Sequence, residues 1–190
     1  MKIERIDNPQ AHFRANNYEE SQVLSARLIG DQTVLEIAVL YAYYNELASW
    51  FEAHGTYKGY QSGRGNNLSM RRLLFQGVRD LAWTDIRYPN GWQGFDRTQL
   101  GLEPGFPIRV FLEAIKIIAR SPRFDLSLAM GSYGRYSFHF DTLTVVERIL
   151  NIRGYRDSTY YWDEESQTQV EYYRPFDDIP GEDCLPPRGS

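Results

Sequence analysis

The stretch Thr33-Val34-Leu35-Glu36-Ile37-Ala38-Val39-Leu40-Tyr41, running on through Trp50-Phe51 to His54-Gly55, decides how the chain is read. Val34, Ile37, Ala38, Tyr41, Ala48 and Phe51 recur at three- and four-residue intervals, the repeat of one helix face. Thr33 and Glu36 have capping-box spacing, and Gly55 supplies a stop. The spacing predicts a helix over 33–54. The alternative splits off Val34 to Leu40 as a buried strand, since a short continuous apolar run suits either element.

The flanking segments are read the same way. Lys2 to Ile6 forms a short strand that Asn8-Pro9 breaks. In 18–30, Val23, Leu24, Leu28 and Ile29 fit a helix ending at Gly30. Asn67 caps a helix from Leu68 to about Trp83, with Leu74, Val78 and Leu81 inward. Pro107 opens a helix to Arg120. Phe124 to Met130 and Arg135 to Phe140 form a hairpin around Gly131-Ser132-Tyr133-Gly134. Asp141 or Thr142 caps a helix to about Asn151. Thr159 to Trp162 and Thr168 to Tyr173 form a second hairpin. Helices mixed with antiparallel hairpins give an α+β class: a single domain with a mixed or antiparallel sheet and packed helices. Residues 1–156 are its body, 157–184 a hairpin extension of the same domain, and 185–190 a disordered tail.

Composition removes several function classes. Hydrophobic residues make up 42% of the 190, enough for a packed core. The one cysteine, Cys184, excludes a disulfide framework, a Cys-based zinc site and an iron–sulfur cluster. His12, His54 and His139 are far apart, and Asp80, Asp85 and Asp96 match no motif, so no metal is assigned. No apolar run has the length of a membrane span, and the polar N-terminus is no signal peptide. A cytoplasmic setting is expected.

Charge is divided unevenly. Residues 1–156 carry 19 basic and 16 acidic side chains; residues 157–190 carry 2 and 9. Only three basic residues are lysines (Lys2, Lys58, Lys116), and arginine's planar fork suits carboxylate and phosphate. The functional reading is a phosphate-contacting body whose acidic C-terminal segment masks it or docks a basic partner. The plainer reading is a solvated tail.

Three constellations could carry chemistry. Ser62-Gly63-Arg64-Gly65-Asn66-Asn67 leads into the segment with Arg71, Arg72 and Arg79. A Gly-rich turn at a helix start would aim backbone amides at an anion that Arg64 clamps. Next, alternation in Arg135 to Asp141 puts Arg135, Ser137, His139 and Asp141 on one face and Tyr136, Phe138 and Phe140 in the core. His139, Asp141 and Arg135 would form an acid/base and phosphate-binding set. Last, the C-terminal hairpin presents Tyr160, Trp162, Glu171 and Tyr172 as a protein-binding surface.

Ile3-Glu4-Arg5-Ile6-Asp7-Asn8-Pro9, followed by Arg14, resembles the opening of ParB/sulfiredoxin-fold domains. Their later Gly-x-His/Arg-Arg nucleotide box has only approximate counterparts here, in Gly63-Arg64-Gly65 before Arg71-Arg72 or in Gly131 to Arg135. Size and layout look like a plasmid fertility inhibition factor of the oncogenic suppression protein type. The resemblance implies a ParB/sulfiredoxin-like fold, ATP with Mg²⁺ as cofactor, nucleotide hydrolysis and DNA cleavage. It also implies interference with conjugative DNA transfer through a type IV secretion system. Arg5, Arg14, Arg64 and Arg72 would then be phosphate contacts. The alternative is a non-catalytic inhibitor of the immunity, anti-defence or antitoxin kind, docking a basic partner through its acidic hairpin. A sequence pI near 5.4 weighs against a duplex-DNA repressor. Oligomeric state is left open.

Overall fold

The computed structural model describes residues 1–19, 21–31, 33–41, 67–84, 110–120, 123–130, 134–153, 160–163, 165–171 and 174–185. Strand β1 (Lys2–Ile6) runs into helix α1 (Pro9–Ala15), then β2 (Gln22–Ile29), β3 (Val34–Leu40), β4 (Asn67–Gln76) and β5 (Arg79–Thr84). There follow β6 (Val110–Phe111), β7 (Ala114–Arg120), β8 (Arg123–Met130), β9 (Gly134–Phe140), β10 (Thr142–Arg153), β11 (Tyr160–Asp163) and β12 (Thr168–Val170).

These strands make two antiparallel sheets. The larger, curled sheet has the order β12-β11-β10-β4-β3-β2-β6, with β1 also paired to β10. The smaller has the order β5-β9-β8-β7. A two-stranded ribbon turns the corner between them: β4 passes into β5 through Gly77-Val78, and β9 passes into β10 through Asp141. Gln76 pairs with Thr142 in the first sheet, and Arg79 with His139 in the second. The Asp141 amide donates to the Gln76 carbonyl at 2.8 Å across the bend. Gly77 takes φ +68° there, and a β-carbon on it would overlap the Asp141 carboxylate.

One face of the large sheet packs on the small one. Val23, Leu35, Ile37, Val39, Leu73, Phe75, Leu143 and Val145 share a core with Leu126, Leu128, Tyr136, Phe138 and Phe140. The Phe75 ring meets Phe138 and Phe140 edge-on, with centroids 5.2 and 5.1 Å away. The opposite face buries Leu24, Val34, Ala38, Leu40, Leu68, Met70, Leu74, Val146 and Leu150 under Phe176 and Cys184. Strands β3 and β4 and the first half of β10 are therefore covered on both sides, while Ile149 further along β10 is exposed.

That double burial corrects the α+β expectation. Most of the described residues lie in β-strands, and among them there is one α-helix, of seven residues. The segments read as helices from Thr33, from Leu68, from Thr142 and within 18–30 are β3, β4 with β5, β10 and β2. The helix ending at Arg120 is replaced, over its described residues, by β6 and β7. A strand buried on both faces loses its period of two and shows a continuous apolar run, in which three- and four-residue spacings arise by default. Among the described residues, the packed helices expected of a ParB/sulfiredoxin-like domain do not cover this sheet. Residues 42–54 of the proposed first helix lie outside the described residues.

Local signals also took different roles. Thr33 caps no helix; its hydroxyl donates to the Gly30 carbonyl at 2.8 Å in the β2–β3 turn, where Gly30 and Asp31 have φ of +56° and +55°. Asn8-Pro9 does end β1, and it also starts α1: the Asn8 side chain accepts from the Ala11 amide at 3.0 Å, with Pro9 in the first turn. The hairpins β8–β9 and β11–β12 form as expected, and β11 pairs with β10, so the C-terminal hairpin extends the large sheet.

Candidate functional site

Arg71 and Arg72 are neighbours on β4, so they project to opposite faces of the sheet. Arg72 is buried, 1% exposed, beneath the end of the chain. Its guanidinium donates to the carbonyls of Ile179 (2.6 Å) and Phe176 (2.7 Å), lies over the Phe176 ring and pairs with Glu36 at 3.3 Å. Arg148, on β10 and 2% exposed, works beside it. It donates to Asp163 at 2.5 Å, to the Pro175 carbonyl at 2.7 Å and through two nitrogens to Asp178 at 2.6 and 3.0 Å. Burial opposes ionisation of Asp163, yet Arg148 and the Ser166 amide hold its pKa below the ordinary value. Two arginines of the basic body thus grip the acidic C-terminal segment.

Arg71 serves a second network where β1, α1, β4 and β10 meet. It donates to Glu147 at 3.0 Å, to the Asn16 side chain at 2.9 Å and to the Tyr18 hydroxyl at 3.1 Å. Its guanidinium stacks 3.6 Å from the centre of the Tyr41 ring. The Tyr18 hydroxyl also meets His12 Nε2 at 2.8 Å. Burial pushes the Tyr18 phenol up to about 12. Burial, helped by the Arg71 charge, lowers the His12 pKa. For Glu147, burial is outweighed by the Ser69 hydroxyl and Arg71, which keep it ionised.

The proposed phosphate contacts are therefore dispersed. Arg5 (on β1) and Arg14 (on α1) are exposed, Arg71 is half-buried in one network and Arg72 is sealed in another. Gly63, Arg64 and Gly65 lie outside the described residues, as does the Gly-rich turn they belong to.

The strand with the proposed acid/base set alternates as expected. Tyr136, Phe138 and Phe140 are buried, Arg135 is exposed, and Ser137 and His139 are half-exposed. His139 does not pair with Asp141, which instead accepts from Arg79 at 2.5 Å. Its partner is Asp125, directly opposite on β8: His139 Nδ1 meets the Asp125 carboxylate at 2.6 Å. Arg120 holds the same carboxylate at 2.7 Å, and His139 Nε2 looks outward with Asp80 3.6 Å away. A histidine oriented by a carboxylate on one nitrogen, with the other open, can accept a proton or ligate a cation.

On the C-terminal hairpin Tyr160 and Trp162 are half-buried and Glu171 is exposed; Tyr172 lies outside the described residues. Asp177, Glu182 and Asp183, in the segment that follows, are exposed as well.

Sequence reasoning missed Asp125, Arg148, Asp163, Tyr18 and Glu147. Asp125 was one register step away: a turn over Gly131-Ser132-Tyr133-Gly134 sets it opposite Phe140, whereas the ladder that forms pairs it with His139. The others depend on which distant strands become neighbours. Among the described residues no group of three or more His, Cys, Asp or Glu side chains is placed to hold a metal ion, and no helix is long and apolar enough to cross a membrane. Comparison of the chain with protein-family models, with curated proteins and with solved structures finds no match.

Proposed function

We propose that the chain is a non-catalytic protein-binding module, an inhibitor that docks a basic partner through the acidic C-terminal hairpin and the segment behind it. One observation carries this reading: Arg72 and Arg148 are spent on the chain's own carboxylates and carbonyls, which fixes that segment while Glu171, Asp177, Glu182 and Asp183 stay exposed. Exposed acids on a fixed support favour a basic protein surface and repel a phosphate backbone. The resemblance to fertility inhibition factors suggests the partner: a component of a type IV secretion system engaged in conjugation.

The test is plasmid transfer from donor cells making the chain. Wild type should lower transfer frequency. A variant combining Glu171→Lys, Asp177→Lys, Glu182→Lys and Asp183→Lys should not, although it folds, since all four side chains are exposed. Equal inhibition by wild type and variant would overturn the docking mode. Unchanged transfer with wild type would remove conjugation as the target.

The Asp125–His139 pair favours a second reading, nucleotide or DNA hydrolysis with His139 as the base. ATP hydrolysis or plasmid nicking that disappears in His139→Ala would support it, and wild type inert in both assays would exclude it.

A further inference from the structure

We infer that the outer face of the small sheet holds a zinc-class divalent cation between His139 Nε2 and Asp80. This inference is independent of the docking reading and competes with His139 acting as a base, since both use Nε2; its test measures binding directly.

The argument starts from the tautomer. Asp125 accepts from His139 Nδ1 at 2.6 Å. With that nitrogen carrying the hydrogen, the lone pair of the neutral ring is at Nε2, the outward atom. Asp125 is itself fixed by Arg120 at 2.7 Å. A metal-bound histidine characteristically donates its second ring nitrogen to a carboxylate, and that carboxylate is in turn hydrogen-bonded. Both outer layers are built here, on a rigid ladder in which Asp125 and His139 are directly paired.

The second ligand is placed by an irregularity. Between Arg79 and Ala82 the β5–β9 register shifts, and Asp80 adopts φ +53°. Bulges re-aim side chains, and this one sends the Asp80 carboxylate to 3.6 Å from His139 Nε2. Zinc binds nitrogen and carboxylate oxygen each at about 2.0–2.2 Å, so one ion can bridge two donors at that separation with an open tetrahedral angle. The neighbouring cation, Arg79, is paired with Asp141 at 2.5 Å, which offsets its repulsion. An imidazole donor selects zinc-class ions over magnesium or calcium. Two protein ligands leave the other positions to water, so the site exchanges its metal readily. His139 and Asp80 are 40% and 80% exposed, so the ion enters directly from solvent.

The experiment is calorimetric titration of the full chain with Zn²⁺, alongside NMR of the histidine rings. One equivalent should bind, shifting the His139 ring signals. His139→Ala and Asp80→Ala should each weaken binding at least about tenfold, and Asp125→Asn, which touches no metal, about 10–100-fold. All three positions lie on an exposed or half-exposed face, and circular dichroism checks that the variants fold. Absence of Zn²⁺ binding by wild type would overturn the inference, as would binding that survives His139→Ala and Asp80→Ala because it occurs at another histidine or at Cys184.

Discussion

The Arg72 guanidinium stands 3.3 Å from the Glu36 carboxylate inside the large sheet, and the two side chains are 1% and 2% exposed. Arg27 holds the other oxygen of Glu36 at 2.7 Å from the half-exposed side. A charge pair this deep is tolerable only when both members stay together: Arg72 alone would be an uncompensated buried charge, and Glu36 alone would keep only the partly exposed Arg27. The pair also ties β3 and β4 to the last segment of the chain, through the carbonyls of Phe176 and Ile179.

Arg72→Met should therefore destabilise the fold by about 3–5 kcal/mol, the cost of breaking a buried pair from one side. Adding Glu36→Leu should recover a large part of it, since apolar residues of similar volume replace the pair. Urea unfolding of both single variants and the double variant gives the coupling. Additive losses would mean that the two charges are not energetically linked.

Gly181 lies against the same pair. A β-carbon there would come 2.7 Å from the Glu36 carboxylate and 2.6 Å from the Ile29 side chain. Glu36 has no room to move, so Gly181→Ala should cost about 1–3 kcal/mol as an overpacked seam. It should also loosen the turn that ends at Cys184, which is buried and has its thiol pKa raised by that burial. Alkylation of Cys184 should be slow in wild type and faster in the variant; equal rates would show that the seam accommodates a methyl group.

How much of this could be read from the sequence depended on whether a segment has one wet face. β9 has one, so its alternation was legible and Tyr136, Phe138 and Phe140 fell where expected. β3 and β4 have none, so Val34 to Leu40 imitated a helix and Arg72, in the same stretch as Leu73-Leu74-Phe75, passed for a surface residue. The division of charge was legible, but the arginines meet the chain's own acids, because β4 and β10 are adjacent beneath the C-terminal segment. Partnerships such as Arg71 with Glu147 span 76 positions and follow only from strand order.

His12 makes stability depend on pH. Its pKa in the folded chain lies below the ordinary 6.5, so the unfolded chain binds more protons near and below that value. Stability should then be full above the ordinary value and fall as pH drops through and below about 6.5, where protonation sets a second cation beside Arg71. Urea midpoints measured across this range should slope upward with pH in wild type and less steeply in His12→Gln. Identical slopes would place the titrating groups elsewhere.

Gly77 tests the corner between the sheets. At φ +68° a side chain costs about 1–2 kcal/mol in backbone strain alone, and its β-carbon would also strike the Asp141 carboxylate. Gly77→Ala should therefore lose more than strain accounts for. Asp141→Ala combined with it should restore the steric part and leave the strain, because Asp141 is half-exposed and its side chain can be removed without opening the core. The comparison needs Asp141→Ala alone as well, since that variant gives up the Arg79 pair and the single loss must be subtracted. Thermal melting of the three variants separates the two contributions. If the double variant is no more stable than the sum of the single losses predicts, the bend is held by backbone conformation, and the ribbon turns there without help from the close fit of Asp141 over Gly77.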